Sequence, residues 1–145
     1  MVTFDQLDPK WKALFLGRTW LNASRWGCTT FALSVMSERF GCYRSPEDIA
    51  GNPKHYNRKG EIIWENVDFE RMKFEKRIRR KDLAAINDSI APGRGVLVQV
   101  NWTHWLLVLR KEGERFIGFD PLGGEEIDIL KKYRYITGSA HYTAI

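Results

Sequence analysis

Residues 95–124, GVLVQVNWTHWLLVLRKEGERFIGFDPLGG, decide the fold. Three runs rich in β-branched and aromatic residues, 96–101, 105–110 and 115–119, are set apart by turn residues, and Glu112-Gly113 is the clearest hairpin signal. They predict antiparallel strands. If the second and third runs close around residues 111–114, cross-strand pairing makes His104 and Asp120 near neighbours at the open end of that hairpin. Residues 126–130, 134–137 and 141–144 are expected to add strands.

Upstream the period changes. The breaker cluster Ala91-Pro92-Gly93-Arg94-Gly95 ends a predicted helix over 82–90, with Leu83, Ile86 and Ile90 on one face. Residues 28–40 place Phe31, Ala32, Val35, Met36 and Phe40 at helical spacing, and Gly41 follows as a stop. Cys28 opens this helix. Ser45-Pro46-Glu47-Asp48 opens a shorter one, with Ser as cap and acids near the positive end of the dipole, and Asn52-Pro53 closes it. Residues 4–20 suit a short helix with an extended lead-in, and 21–26 read as a polar turn. Residues 60–67 and the basic stretch after them fit helix or loop equally. The expectation is one α+β domain over 1–145: a helical first half, with its central helix carrying Cys28, packed on an antiparallel sheet.

A chain of 145 residues with six Trp, eight Phe and five Tyr can fill one such core. No apolar run reaches membrane-spanning length, and Met1-Val2-Thr3-Phe4-Asp5 has no secretory pattern. The expected location is the cytoplasm, with export without a signal, injection or release by lysis as the ways out. Much of the net charge of +5 sits in residues 71–81, RMKFEKRIRRK. Such a run is usually a solvated face. The sharper reading is attraction of an anionic polymer, nucleic acid or acidic cell-wall material, to Arg71, Lys73, Lys76, Arg77, Arg79, Arg80 and Lys81.

Two cysteines, Cys28 and Cys42, are too few for a disulfide framework, and a helix between them holds them about 20 Å apart at 1.5 Å per residue. With three histidines and two scattered cysteines, no spacing suggests zinc, and no cofactor is expected. Unpaired amides and the dipole at a helix start favour a thiolate, so Cys28 is a candidate nucleophile; the bland reading is a buried structural cysteine. Gly27 before it would leave room for a substrate backbone. Among the histidines, His55 lies in a polar loop and reads as a surface residue, and His141 reads as an exposed strand position. His104, at the mouth of an apolar strand, is the candidate base, and Asp120 would fix its tautomer. Asp120 alone would be a turn former before Pro121. The Cys28 backbone N–H and the Asn22 side chain are the candidate oxyanion donors; a lone Asn in a polar loop otherwise makes a turn.

Together Asn22, Gly27-Cys28-Thr29-Thr30-Phe31-Ala32-Leu33, Phe40-Gly41, Ser45-Pro46-Glu47-Asp48-Ile49, Thr103-His104-Trp105 and Phe119-Asp120-Pro121-Leu122-Gly123-Gly124 resemble the bacteriocin-leader (double-glycine) peptidase-like family of papain-like cysteine peptidases. The resemblance spans residues 22 to 125. It implies a papain-like fold and hydrolysis of peptide or amide bonds by Cys28, His104 and Asp120 through an acyl-enzyme. The Gly27–Leu33 run is also similar to domains that cut bacterial cell-wall peptides, so the implied substrate is a peptide or peptidoglycan. A papain-like binding module without turnover is the remaining alternative. Asn22 stands where the family has Gln, and Thr29 where Gly-Pro is commoner.

Overall fold

The structure is a computed structural model describing residues 2–145. Six strands, β1 (Met72–Ile78), β2 (Arg94–Val100), β3 (His104–Glu112), β4 (Arg115–Asp120), β5 (Glu125–Asp128) and β6 (Ile136–Ala144), form one sheet in the order β1-β6-β2-β3-β4-β5. Every neighbouring pair is antiparallel. Five short or medium helices accompany it: α1 (Ala23–Trp26), α2 (Cys28–Arg39), α3 (Pro46–Ala50), α4 (Leu83–Asp88) and α5 (Ile129–Lys132). None is long and apolar enough to cross a membrane, among the described residues. The fold class is α+β.

The sheet is covered on both faces, which explains why Trp105-Leu106-Leu107-Val108-Leu109 is continuously apolar instead of alternating. On one face Ala32, Leu33, Val35 and Met36 of α2 pack with Leu97, Trp105, Leu107, Leu109 and Phe119. On the other, Ile86 of α4 and Ile129 of α5 pack with Val96, Val98, Leu106, Val108 and Phe116. Helix α2 is buried from Thr29 to Ser37. Its polar residues Thr30, Ser34 and Ser37 are paired, as burial requires. Thr30 Oγ1 meets Tyr56 Oη at 2.6 Å, Ser34 Oγ donates to Arg44 O, and Ser37 Oγ accepts from Arg44 N.

Several expectations change. The helix expected within 4–20 is only a 3-10 turn at Pro9–Ala13, because Pro9 and the extended Leu14 limit it to one turn. Residues 21–26 contain α1, capped by Asn22. The basic segment is neither helix nor loop but edge strand β1, since Met72 and Phe74 turn inward while its backbone pairs with β6. Lysines on an exposed edge oppose further strand pairing. Residues 126–130 divide between β5 and α5, and the two last predicted strands are one, β6. Cys28 and Cys42 are both free, with Cys42 buried in the core.

Two histidines are inside. His55 is buried with Nδ1 bonded to Ile49 O at 2.8 Å. His141 lies fully buried between Ser89 Oγ and Ser139 Oγ, each 2.7 Å from a ring nitrogen. A buried imidazole with two hydroxyl partners is satisfied when neutral. Burial, with nearby Lys76, pushes His141 down to about 4. The unfolded chain binds that proton first, so this stabilisation is complete above pH 6.5 and fades as pH falls through about 4; it is worth about 3 kcal/mol. Urea midpoints should therefore drop between pH 6.5 and 4, and drop less in His141→Gln.

Candidate functional site

Three elements converge at one end of the sheet. Helix α2 begins at Cys28, directly after α1, and the junction is tight: a Cβ on Gly27 would lie 2.6 Å from Ala23 O. Gly27 thus allows the passage of the chain from α1 to α2. The partly exposed Cys28 occupies the first turn of α2, where backbone N–H groups have no partner within the helix.

Strand β3 begins at His104, after a turn that Thr103 N closes by donating to Val100 O. Both turn residues, Asn101 (φ 49°) and Trp102 (φ 64°), are left-handed, the geometry of a tight hairpin turn. A tryptophan there is unusual, because its Cβ crowds the backbone. Trp102 is 64% exposed and its ring lies 5.2 Å from that of Tyr135. Strand β4 ends at Asp120. A bulge in β3 between Val108 and Arg110 shifts the register, and Leu107 faces Phe119, so His104 and Asp120 are offset rather than directly opposed. The side chains span the offset: His104 Nε2 meets Asp120 Oδ1 at 2.7 Å.

Asp120 is fully buried and saturated. Oδ1 also accepts from Leu122 N at 3.0 Å, and Oδ2 accepts from Lys132 Nζ at 2.7 Å and Tyr133 Oη at 2.6 Å. Burial alone would raise this carboxyl, but the donors from His104, Lys132 and Tyr133 hold it at about 2. Burial would lower His104; the bond to Asp120 and the neighbouring Cys28 thiol outweigh it and raise the imidazole to about 9. With Nε2 on Asp120, Nδ1 is the ring nitrogen left for the thiol. Tyr133 is pushed up by burial and by its bond to Asp120, so it remains a donor, and its ring lies 5.6 Å from the imidazole.

The sequence alone gives no sign of Lys132 and Tyr133, which fall between the strands expected at 126–130 and 134–137. Gly118 carried the available signal. A glycine inside an apolar strand marks a close approach, and a Cβ there would lie 2.8 Å from Ile129 Cδ1. The missing side chain lets α5 settle on β4 and bring Lys132 and Tyr133 to Asp120.

Asn22 caps α1: its Oδ1 accepts from Arg25 N at 3.0 Å. The cap settles the orientation of the amide, leaving Nδ2 without a hydrogen-bond partner among the described residues. Beside Cys28 lies a groove of about 820 Å³. Its lining includes Trp26, Lys59, Glu61, Glu65, Arg77, Arg79, Trp102 and Trp105. Among the described residues no three His, Cys, Asp or Glu side chains are grouped to hold a metal ion. Of the basic segment, Arg77 and Arg79 line the groove, while Lys76 pairs with Glu75 and Arg80 with Asp82. Such exposed pairs contribute little.

Compared with known protein families, curated proteins and solved structures, the chain matches none.

Proposed function

We propose that this chain is a cysteine-dependent amide hydrolase with a papain-like arrangement of helix and sheet. The observation that carries the reading is His104, bonded to a buried, saturated carboxylate and neighbouring the Cys28 thiol at the start of α2. A thiol, an imidazole and an orienting acid in that order are the parts of an activated nucleophile. The resemblance of the flanking sequence to bacteriocin-leader peptidase-like domains supports the same reading.

In the reaction the Cys28 thiolate attacks the substrate carbonyl carbon, forming the C–S bond. The Cys28 backbone N–H and Asn22 Nδ2 receive the charge that develops on oxygen. The C–N bond breaks as the His104 imidazolium gives its proton to the leaving amine. Water then attacks the thioester while His104 takes its proton, releasing the acid and restoring the thiolate–imidazolium pair. Asp120 keeps the imidazole in one tautomer and supports its charge throughout.

The test is release of amines from whole cell walls and from a general protein substrate, with Cys28→Ala as the blank. Iodoacetamide should alkylate Cys28 and spare the buried Cys42. Loss of neither activity in Cys28→Ala, or equal alkylation of both thiols, overturns the reading. A pH profile adds a second check. His104 must be protonated to act as acid, so kcat/KM should fall as pH rises through about 9. Asn22→Ala should lower the rate by about 10²-fold or more, the usual effect of losing one oxyanion donor, and Asn22→Gln should be tolerated.

A further inference from the structure

We infer that the groove beside Cys28 takes a peptide bearing a carboxylate, which Arg77 and Arg79 hold from the wall that ends β1. The inference rests on the hydrolase reading for what happens to that peptide, but not for its binding. Arg77 is half-buried, with its guanidinium over the Trp105 ring at 4.8 Å from the centroid. Its Nη1 donates to the Ile78 and Ser139 carbonyls. These contacts fix the planar fork and leave its other N–H groups for a ligand. Neither Arg77 nor Arg79 has a carboxylate partner among the described residues, whereas Lys76 and Arg80 of the same segment do.

Two like charges are thus placed together in the groove lining, neither in an ion pair among the described residues. Burial and the field of Arg79 both act against the Arg77 cation. A partly desolvated charge is costly until it is paired. A carboxylate removes that cost, and a guanidinium fork matches it by two parallel hydrogen bonds. The same groove is also lined by Glu61 and Glu65. They would repel a chain of phosphates, so the groove suits a peptide with an isolated acidic group over a nucleic acid. Trp26 and Trp102, both exposed at the groove, offer apolar faces to neighbouring residues of that peptide.

Binding is measured on Cys28→Ala, so turnover does not enter. The probes are labelled, end-blocked octapeptides of Gly and Ala carrying one Glu, moved through each position, and their Gln twins. In at least one register the Glu peptide should bind about tenfold more tightly than its twin, the scale of one charge-assisted bond. The preference should shrink with salt and vanish in Arg79→Gln. Arg79 is exposed and its side chain makes no hydrogen bond among the described residues, so that variant should keep its melting temperature. Arg77→Lys should reduce the preference by losing the fork while keeping the charge. Equal binding of the twins in every register, preference unchanged in folded Arg79→Gln, or tighter binding of an oligothymidylate than of any Glu peptide overturns the inference. If the intact protein cleaves Gln twins as fast as Glu peptides, the hydrolase reading stands and the inference fails. Selective binding of Glu peptides with no cleavage of any peptide or cell wall leaves the carboxylate site in place and removes the hydrolase.

Discussion

Replacing His104 by alanine is expected to lower kcat/KM by about 10⁴-fold, the upper end of what a positioned acid–base group supplies. The upper end applies because the proposed mechanism gives His104 two duties: it takes up the Cys28 proton, and it protonates the leaving amine. Iodoacetamide alkylation of Cys28 at neutral pH should slow in parallel, and the fall in kcat/KM near pH 9 should disappear from the residual rate. The fold should survive. Asp120 retains Leu122 N, Lys132 Nζ and Tyr133 Oη when the imidazole is removed, so no buried charge is left unpaired. The melting temperature should therefore move little beyond the loss of the His104–Tyr133 ring contact. Unchanged hydrolysis in a folded His104→Ala would show that Cys28 and His104 do not work together.

What could be read beforehand was whatever depends on local period and on hairpin geometry. The strands around residues 96–119 follow from composition and turns, and so does the neighbourhood of His104 and Asp120, even though the bulge at 108–110 offsets them. The long helix is legible because Gly41 (φ 75°) ends it in the left-handed region. What was hidden depends on partners distant in sequence. Segment 71–81 looks like a solvated run because its apolar members, Met72 and Phe74, are outnumbered by charges; only pairing with β6 makes it a strand. His141 resembles an exposed position until Ser89 of the loop after α4 closes over it. Lys132 and Tyr133 could not be placed from residue type, since their role exists only where α5 lies against Gly118.

Those two residues alter what to expect of Asp120→Asn. The amide is nearly isosteric, and in a triad the main consequence is that its N–H can hold the imidazole in the wrong tautomer, costing about 10⁴-fold in kcat. Here a second consequence is added. Lys132 Nζ and Tyr133 Oη both donate to Oδ2. An amide has one oxygen, so orienting it toward those donors turns NH₂ toward His104 and the Leu122 N–H, and the reverse leaves Lys132 facing NH₂. No orientation satisfies all four. The carboxyl's position near 2, against its ordinary 3.8, corresponds to about 2 kcal/mol of stability. That contribution is present above pH 3.8 and lost as pH falls through about 2. Asp120→Asn should therefore unfold at a lower urea concentration at pH 7, with the gap from the parent closing as pH falls toward 2. Its His104 should also lose part of the support that keeps the imidazole high, moving the alkaline fall in the residual rate below pH 9. Lys132→Met separates the two effects: it removes one donor to Oδ2 but leaves the His104 bond and the tautomer intact, so stability should decline with kcat reduced far less than in Asp120→Asn. Were Lys132→Met to cost as much turnover as Asp120→Asn, Asp120 would be acting through the charge of the cluster rather than by orienting His104.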